Sequence, residues 1–355
     1  MREGSKNESS QPVELHFTRT NGVVDESIDT LIKDVGGIDH PDIVREIILA
    51  ALKAGQENSG RMDLKLMNTS MKEMRFTAKV FGPYRHVRKV TVFGSARLQP
   101  DTALYKLARD FGRQLAESGF MVITGGGPGI MQAVNEGAGP EHSFGVNIRL
   151  PFEQNPNPVL VGNPRHIIYK YFFNRKVAFL KEADAVVLFP GGFGTLDEAM
   201  ESITLLQTGK RYSLPLILFD EPGGTYWDGL CQFLENELAG HGYIAGDDFK
   251  LIERAARPED AVQKIRRFYS RYHSLRYVGD LMVIRMVSPL SREQVAQLKK
   301  QFADILIPGG DLRLTGALDE ERDEPELADM PRLVLDFNKR DFGRLRVMLD
   351  TLNAF

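Results

Sequence analysis

The stretch ADAVVLFPGGFGTLDEAMES, residues 183–202, decides the fold. Ala185-Val-Val-Leu-Phe189 is a continuous apolar run, the pattern of a strand buried on both faces. Pro190-Gly191-Gly192-Phe193-Gly194 ends the run, and its three glycines carry no side chain to obstruct a ligand. From Thr195 onward Leu196, Ala199, Met200, Ile203 and Leu206 follow helical spacing. A strand, a glycine turn and a helix start make an anion site, because free N–H groups and the positive end of the helix dipole converge there. Asp197, Glu198 and Glu201 stand beside it, and a phosphate cradle gains nothing from carboxylates. Glu198 has two possible jobs. Thr195-x-x-Glu198 has the spacing of a capping box, in which the glutamate bonds back to the helix start. A carboxylate at an anion site also has a chemical use. Asp197 and Glu201 fit first-turn acids that favour the dipole.

The same unit recurs on the N-terminal side. Lys89-Val-Thr-Val-Phe93 runs into Gly94-Ser95-Ala96-Arg97 and then a helix over about 103–118. Phe120-Met-Val-Ile-Thr124 runs into Gly125-Gly126-Gly127-Pro128-Gly129 and a helix over 130–138. Residues 143–148 form a third strand and 214–219 a fifth, followed by a helix over about 226–238. An aromatic, basic helix over 169–182 contains Arg175 and Lys176. In that helix Tyr169, Tyr171, Phe172 and Phe173 read as core more readily than as a base-stacking platform. The loop 151–164 is too long for a plain connector and could close over a ligand. Alternating strands and helices with glycine turns at strand ends predict a Rossmann-like, doubly wound parallel sheet with its ligand at the strand C-terminal edge.

Extensions flank this core, giving expected divisions at 1–86, 87–272 and 273–355. Residues 1 to about 25 are polar. Helices follow, and the last, over 62–81, carries a methionine-rich stripe suited to core or interface packing. The C-terminal part is a small α+β appendage with strands near 281–287, 312–314 and 332–336 and helices over 291–303 and 341–352. Its acidic stretch 319–329 reads as a solvated turn.

With 355 residues, 42% hydrophobic and 26% charged, the chain has the composition of a soluble globular protein. A net charge of −3 offers no global basic field for nucleic acid. The single cysteine, Cys231, excludes an internal disulfide and fits a reducing compartment. The N-terminus lacks the apolar stretch of a signal peptide and no window reaches a membrane span, so a cytoplasmic location is expected.

Three glycine turns at one sheet edge suggest a nucleotide-sized cleft. Counting G-x-G-x-x-G from Gly125, Gly127 and Gly192 ends on Ile130, Gln132 and Asp197, so the dinucleotide fingerprint fails each time and a nicotinamide enzyme is disfavoured. There is no P-loop, no paired-cysteine or H-E-x-x-H zinc motif, and no G-x-S-x-G elbow. A mononucleotide or phosphosugar ligand remains. From spacing alone, Arg175 and Lys176 read equally as a surface pair on an amphipathic helix.

The residues Gly125-Gly-Gly-Pro-Gly-Ile-Met131, Phe173-Asn-Arg175-Lys176 and Pro190-Gly-Gly-Phe-Gly-Thr-Leu-Asp-Glu198 together resemble the LOG ("Lonely guy") family, whose members were long called lysine decarboxylases. The resemblance covers about 87–268, and the flanking extensions are similar to those of longer bacterial members, the nucleotide 5′-monophosphate nucleosidases. It implies hydrolysis of the N-glycosidic bond of a nucleoside 5′-monophosphate, a cytokinin riboside monophosphate in plants, to free base and ribose 5-phosphate. It implies catalytic roles for Arg175 and Glu198. Substrate binding would fall to Ser95, Gly126, Gly127, Lys176, Gly191, Gly192, Gly194 and Thr195. No metal or organic cofactor is expected. Together with the methionine-rich helix, the resemblance favours a homodimer or larger assembly. Gln132 departs from the acid many relatives carry there. No context for a pyridoxal-phosphate lysine supports a decarboxylase. The competing reading is a non-enzymatic nucleotide or molybdenum-cofactor carrier, which has no need of Arg175 with Glu198.

Overall fold

A computed structural model of the chain describes residues 20–57, 60–150 and 155–355. Most of the polar N-terminal stretch and the first part of the 151–164 loop therefore lie outside the described residues. Two compact units divide the chain between Lys72 and Glu73. The first holds α1 (Val23–Val35), α2 (Pro41–Glu57) and the start of α3 (Arg61–Phe81), with Ile28 and Ile32 of α1 packed on Leu49 of α2. Met67, Met71 and Met74 on α3 are about half-exposed, so the chain's own core does not account for the methionine stripe.

The second unit begins with the seven-stranded parallel sheet. Its strands are β1 (Lys89–Phe93), β2 (Met121–Thr124), β3 (Ser143–Ile148), β4 (His166–Tyr169), β5 (Ala185–Leu188), β6 (Leu216–Phe219) and β7 (Ile252–Ala255), in the order β4-β3-β2-β1-β5-β6-β7. The helices are α4 (Ala103–Glu117), α5 (Ile130–Ala138), α6 (Phe172–Lys181), α7 (Phe193–Gln207), α8 (Tyr226–Phe233) and α9 (Pro258–Phe268). The doubly wound α/β expectation is met. The apolar run at 185–189 is explained by two cores. Val186 and Leu188 enter one apolar layer with Phe144 and Phe179, while Ala185 and Val187 enter the opposite layer with Phe111 and Ile217. Strand order reverses at β1, which pairs with β2 on one side and β5 on the other. The crevice that such a reversal opens lies where Gly94-Ser95 and Gly191-Gly192 emerge.

Two strands of this sheet escape a periodicity reading. In β4 only Ile167 and Tyr169 point to the core, and four residues are too short a run to register alternation. The aromatic helix consequently begins at Phe172 and not at Tyr169. The edge strand β7 reads Ile-Glu-Arg-Ala and carries little apolar signal. The predicted 226–238 helix breaks its period at Leu234, where α8 passes into a π-helical turn.

Helices α4 and α5 approach closely through glycine. A Cβ on Gly137 would lie 1.8 Å from the Arg109 carbonyl oxygen, and one on Gly112 would lie 2.2 Å from that of Val134. Because the obstructing atoms are backbone, the helices must separate to admit a methyl group. Gly137→Ala is expected to destabilise the protein by about 1–3 kcal/mol, read as a lower thermal midpoint with the same far-UV circular dichroism.

The C-terminal part is a four-stranded antiparallel sheet of β8 (Tyr272–Val278), β9 (Leu281–Met286), β10 (Leu312–Thr315) and β11 (Arg332–Leu335), with α10 (Arg292–Gln301) and α11 (Phe342–Ala354). A capping box of Ser291 and Gln294 opens α10. The acidic stretch 319–329 is not simply a solvated turn. Glu321 is 3% exposed and accepts hydrogen bonds from the Arg285 and Arg332 guanidinium groups, both buried on the sheet. Buried arginines require a carboxylate partner, and the nearby acids supply it. Among the described residues no helix is long and apolar enough to cross a membrane.

Candidate functional site

The crevice is a cavity of about 960 Å³ walled by the ends of β1, β2, β3 and β5 and by α6 and α7. Ser95, Gly127, Arg175, Gly191, Gly192, Gly194, Thr195 and Glu198 all line it. Gly126 and Lys176 do not, although each adjoins a residue that does.

Backbone bonds lock the three turns together. The Ser95 N–H donates to the Pro190 carbonyl at 3.0 Å, and the Ile130 N–H donates to the Ser95 carbonyl at 2.9 Å. The Ser95 hydroxyl oxygen accepts the Arg97 N–H at 3.1 Å, which leaves its proton to donate. A Cβ on Gly191 would lie 2.1 Å from Thr195 Oγ1 and 3.0 Å from the Ser95 nitrogen, so only glycine fits that crossing. A Cβ on Gly192 or Gly194 would meet no protein atom within 4 Å, which leaves that space to a ligand. The Tyr226 hydroxyl donates to the Gly191 carbonyl at 2.6 Å and turns this acceptor away from an anion.

Helix α7 starts at Phe193 with Gly192 as its N-cap and no capping side chain. The Thr195 and Leu196 N–H groups donate to the Gly192 carbonyl at 3.0 and 3.2 Å, which leaves those of Phe193 and Gly194 for the cavity. This start overturns the capping-box reading. Thr195 lies inside the first turn, one turn too late to be the cap, and Glu198 cannot reach back as the box requires. Glu198 is 3% exposed instead; its Oε1 sits 3.3 Å from Lys176 Nζ and its Oε2 has no hydrogen-bond partner. Burial raises the Glu198 carboxyl to about 7, against the opposing pull of Lys176 and Arg175.

Arg175 projects from α6 with its guanidinium carbon 5.0 Å from the Phe172 ring centre and 5.4 Å from that of Phe179. Its Nε is buried without a partner. Burial lowers its pKa, with Glu198 and Asp197 acting the other way, and a guanidinium so placed still stays charged. Glu73 of α3 fixes the start of α6, accepting the Lys170 N–H at 2.6 Å and the Asn174 side-chain amide at 2.7 Å. The Thr77 and Tyr169 hydroxyls bond just behind it.

The remaining expectations divide. Tyr169 is core, as expected, but Phe172 is half-exposed and lines the cavity, and Phe173 is half-exposed and stacks on Tyr171. Gly126 adopts φ +71 and shapes its turn from behind, where its carbonyl accepts the Asn157 N–H at 2.9 Å. The Gln132 amide turns along α5 to Glu136 at 2.7 Å and not into the cavity. Sequence reading missed Asn147, a cavity residue whose Oδ1 lies 3.0 Å from His166 Nε2, and missed Tyr226. A polar residue inside an apolar strand was the available signal for Asn147. Tyr226 carried none, because its contact spans 35 positions.

The family model described as possible lysine decarboxylase matches residues 130–265. The cytokinin riboside 5′-monophosphate phosphoribohydrolase LOG of Oryza sativa subsp. japonica is 28% identical over 52% of this chain and 75% of its own length. The LOG3 enzyme of the same name from Arabidopsis thaliana is 27% identical over 51% of this chain and 83% of its own. These matches bear out the LOG-family resemblance, at low identity and over half the chain. The X-ray structure of TM1055 is similar at 26% identity and TM-score 0.36, covering 50% of this chain and 98% of that one. The molybdenum cofactor carrier protein of Chlamydomonas reinhardtii is similar at 20% identity and TM-score 0.35, covering 51% of this chain and 96% of that one.

Proposed function

We propose that this chain, a LOG-family protein through its parallel-sheet core, hydrolyses the N-glycosidic bond of nucleoside 5′-monophosphates to free base and ribose 5-phosphate. The observation that carries this reading is Glu198 Oε2, a buried carboxylate oxygen without a partner at the wall of a cavity whose adjacent wall is a glycine cradle. The 5′-phosphate sits on the first N–H groups of α7 and the Ser95 hydroxyl. The ribose then lies beside Glu198, one helical turn on, and the base extends toward Met131 at the start of α5 and Asn147 near the end of β3. As the C1′–N bond breaks, its electron pair leaves with the base and positive charge grows on the ribose. The Glu198 carboxylate stabilises that charge and orients the water whose oxygen joins C1′, while a proton from the water reaches the departing base. Arg175, desolvated beside the Phe172 and Phe179 rings, supplies a fixed positive charge at the same cavity. Binding energy from the remote phosphate orients the reacting carbon.

The test is to incubate the full chain with AMP, GMP, CMP and an N6-isopentenyl AMP and to assay for free base and ribose 5-phosphate. Equimolar formation of both from at least one substrate is expected. Stoichiometric nucleotide binding without any base release would replace hydrolysis by the carrier reading. The ionised form of Glu198 is the working one, so kcat/KM is expected to rise as pH increases through about 7. A fall through the same interval would reassign Glu198 as the proton donor to the base.

A further inference from the structure

Lys176 has an arrangement that phosphate binding does not explain. From α6 its Nζ reaches Asp197 Oδ2 at 2.7 Å, Glu201 Oε2 at 3.0 Å and Glu198 Oε1 at 3.3 Å, all on α7. The ammonium donates a hydrogen bond to Glu201 and lies within ion-pair distance of Asp197 and Glu198, so three carboxylates of α7 share its charge. The residue does not line the cavity. We infer that Lys176 is a positioning residue for Glu198: it pins Oε1 to α6 so that Oε2 faces the cavity, and it is the cation nearest to that carboxylate. This rests on the nucleotide-hydrolysis reading for its kinetic consequence, and on geometry alone for the contact.

The three acids do not share Lys176 equally. The side chains of Asp197 and Glu201 are 61% and 31% exposed, whereas that of Glu198 is 4% exposed. Water screens the first two, so the attraction of the ammonium counts most for the desolvated third. The charged groups that act on Glu198 are Lys176 and Arg175 from α6 and Glu201 from its own helix. Arg175 makes no ion pair with Glu198 within 4 Å among the described residues, so Lys176 alone offsets burial by direct contact. Without it Glu198 faces a carboxylate neighbour in an apolar wall and takes up a proton. The anion cradle and the charge state of the carboxylate thus come from separate elements, the first from the α7 start and the second from α6.

The experiment compares full-length wild type, Lys176→Met and Lys176→Arg. The Glu198 carboxyl is followed by carbon-13 NMR of glutamate-labelled protein, with Glu198→Gln identifying the signal. In Lys176→Met the Glu198 acid dissociation constant is expected to fall by about tenfold or more, with Lys176→Arg near wild type. The affinity for ribose 5-phosphate by calorimetry is expected to stay unchanged in both. With the nucleotide that wild type hydrolyses, Lys176→Met should lose kcat near neutral pH, recover it as pH is raised, and keep its KM. An unshifted Glu198 titration overturns the inference. So does ribose 5-phosphate affinity weakened about tenfold, a loss of about 1.4 kcal/mol that would make Lys176 a phosphate ligand after all. If wild type releases no base, the hydrolytic reading fails while the NMR and calorimetric results still decide the role of Lys176. Should the methionine variant fail to fold, Lys176→Gln is measured in the same way, and its Glu198 titration decides.

Discussion

Replacing Glu198 by glutamine is expected to lower base release about 10²–10⁴-fold while the protein stays folded and still binds ribose 5-phosphate. The two side chains have the same shape, and the site does not use Glu198 as a helix cap, since α7 begins at Phe193 with Gly192 as its N-cap. What is lost is negative charge beside the ribose. Stability moves the other way. Folding raises the Glu198 carboxyl from 4.5 to about 7, so the folded chain holds this proton more tightly than the unfolded one. The stability linked to that proton is fully present below 4.5 and is lost as pH rises through about 7. Glutamine cannot ionise, so the thermal midpoint of Glu198→Gln should gain on wild type across that interval. Loss of activity with this reversed stability profile identifies a functional carboxylate. An unfolded variant, or one with undiminished turnover, would remove Glu198 from the chemistry.

Arg175→Met is expected to lower kcat/KM about 10²–10³-fold, the loss typical of a preorganised charge in a water-poor site. Methionine preserves the stem that packs on Phe172 and Phe179. A guanidinium with a buried, unpartnered Nε is costly to the fold, and its removal should leave the thermal midpoint equal or higher. Kinetics and thermal unfolding on one sample check both halves. A marked fall in midpoint with proportionate loss of active protein would make Arg175 a structural cation. Measured with ribose 5-phosphate, the same variant tells whether the guanidinium acts on the sugar phosphate or on the base end. An unchanged dissociation constant places its effect at the base or at Glu198.

Sequence pattern carried the sheet wherever a strand was buried on both faces and ended in glycine, because a continuous apolar run followed by Gly191, Gly125 or Gly94 has few other uses. It failed at β4 and β7, which are short and lie at the sheet edges, and at β8, whose apolar positions are spread among polar ones. Most of the expected site residues line one cavity, since all three glycine turns leave the same edge of a parallel sheet. The roles within the set were not legible. Spacing made Thr195 and Glu198 a capping box, but spacing does not say where a helix begins, and a glycine can hold the cap position.

The stretch at 183–202 by itself determined a buried strand, a glycine turn and a helix start, and with them a place for an anion. Those features depend on neighbours within a few positions, which is the range over which backbone geometry and periodicity act. Only the tertiary structure decided which carboxylate is desolvated and which cation answers it. Lys176 and Glu198 are 22 positions apart on different helices, yet Nζ and Oε1 lie 3.3 Å from each other. The burial that lifts the Glu198 carboxyl is a property of every element packed around it and of none alone.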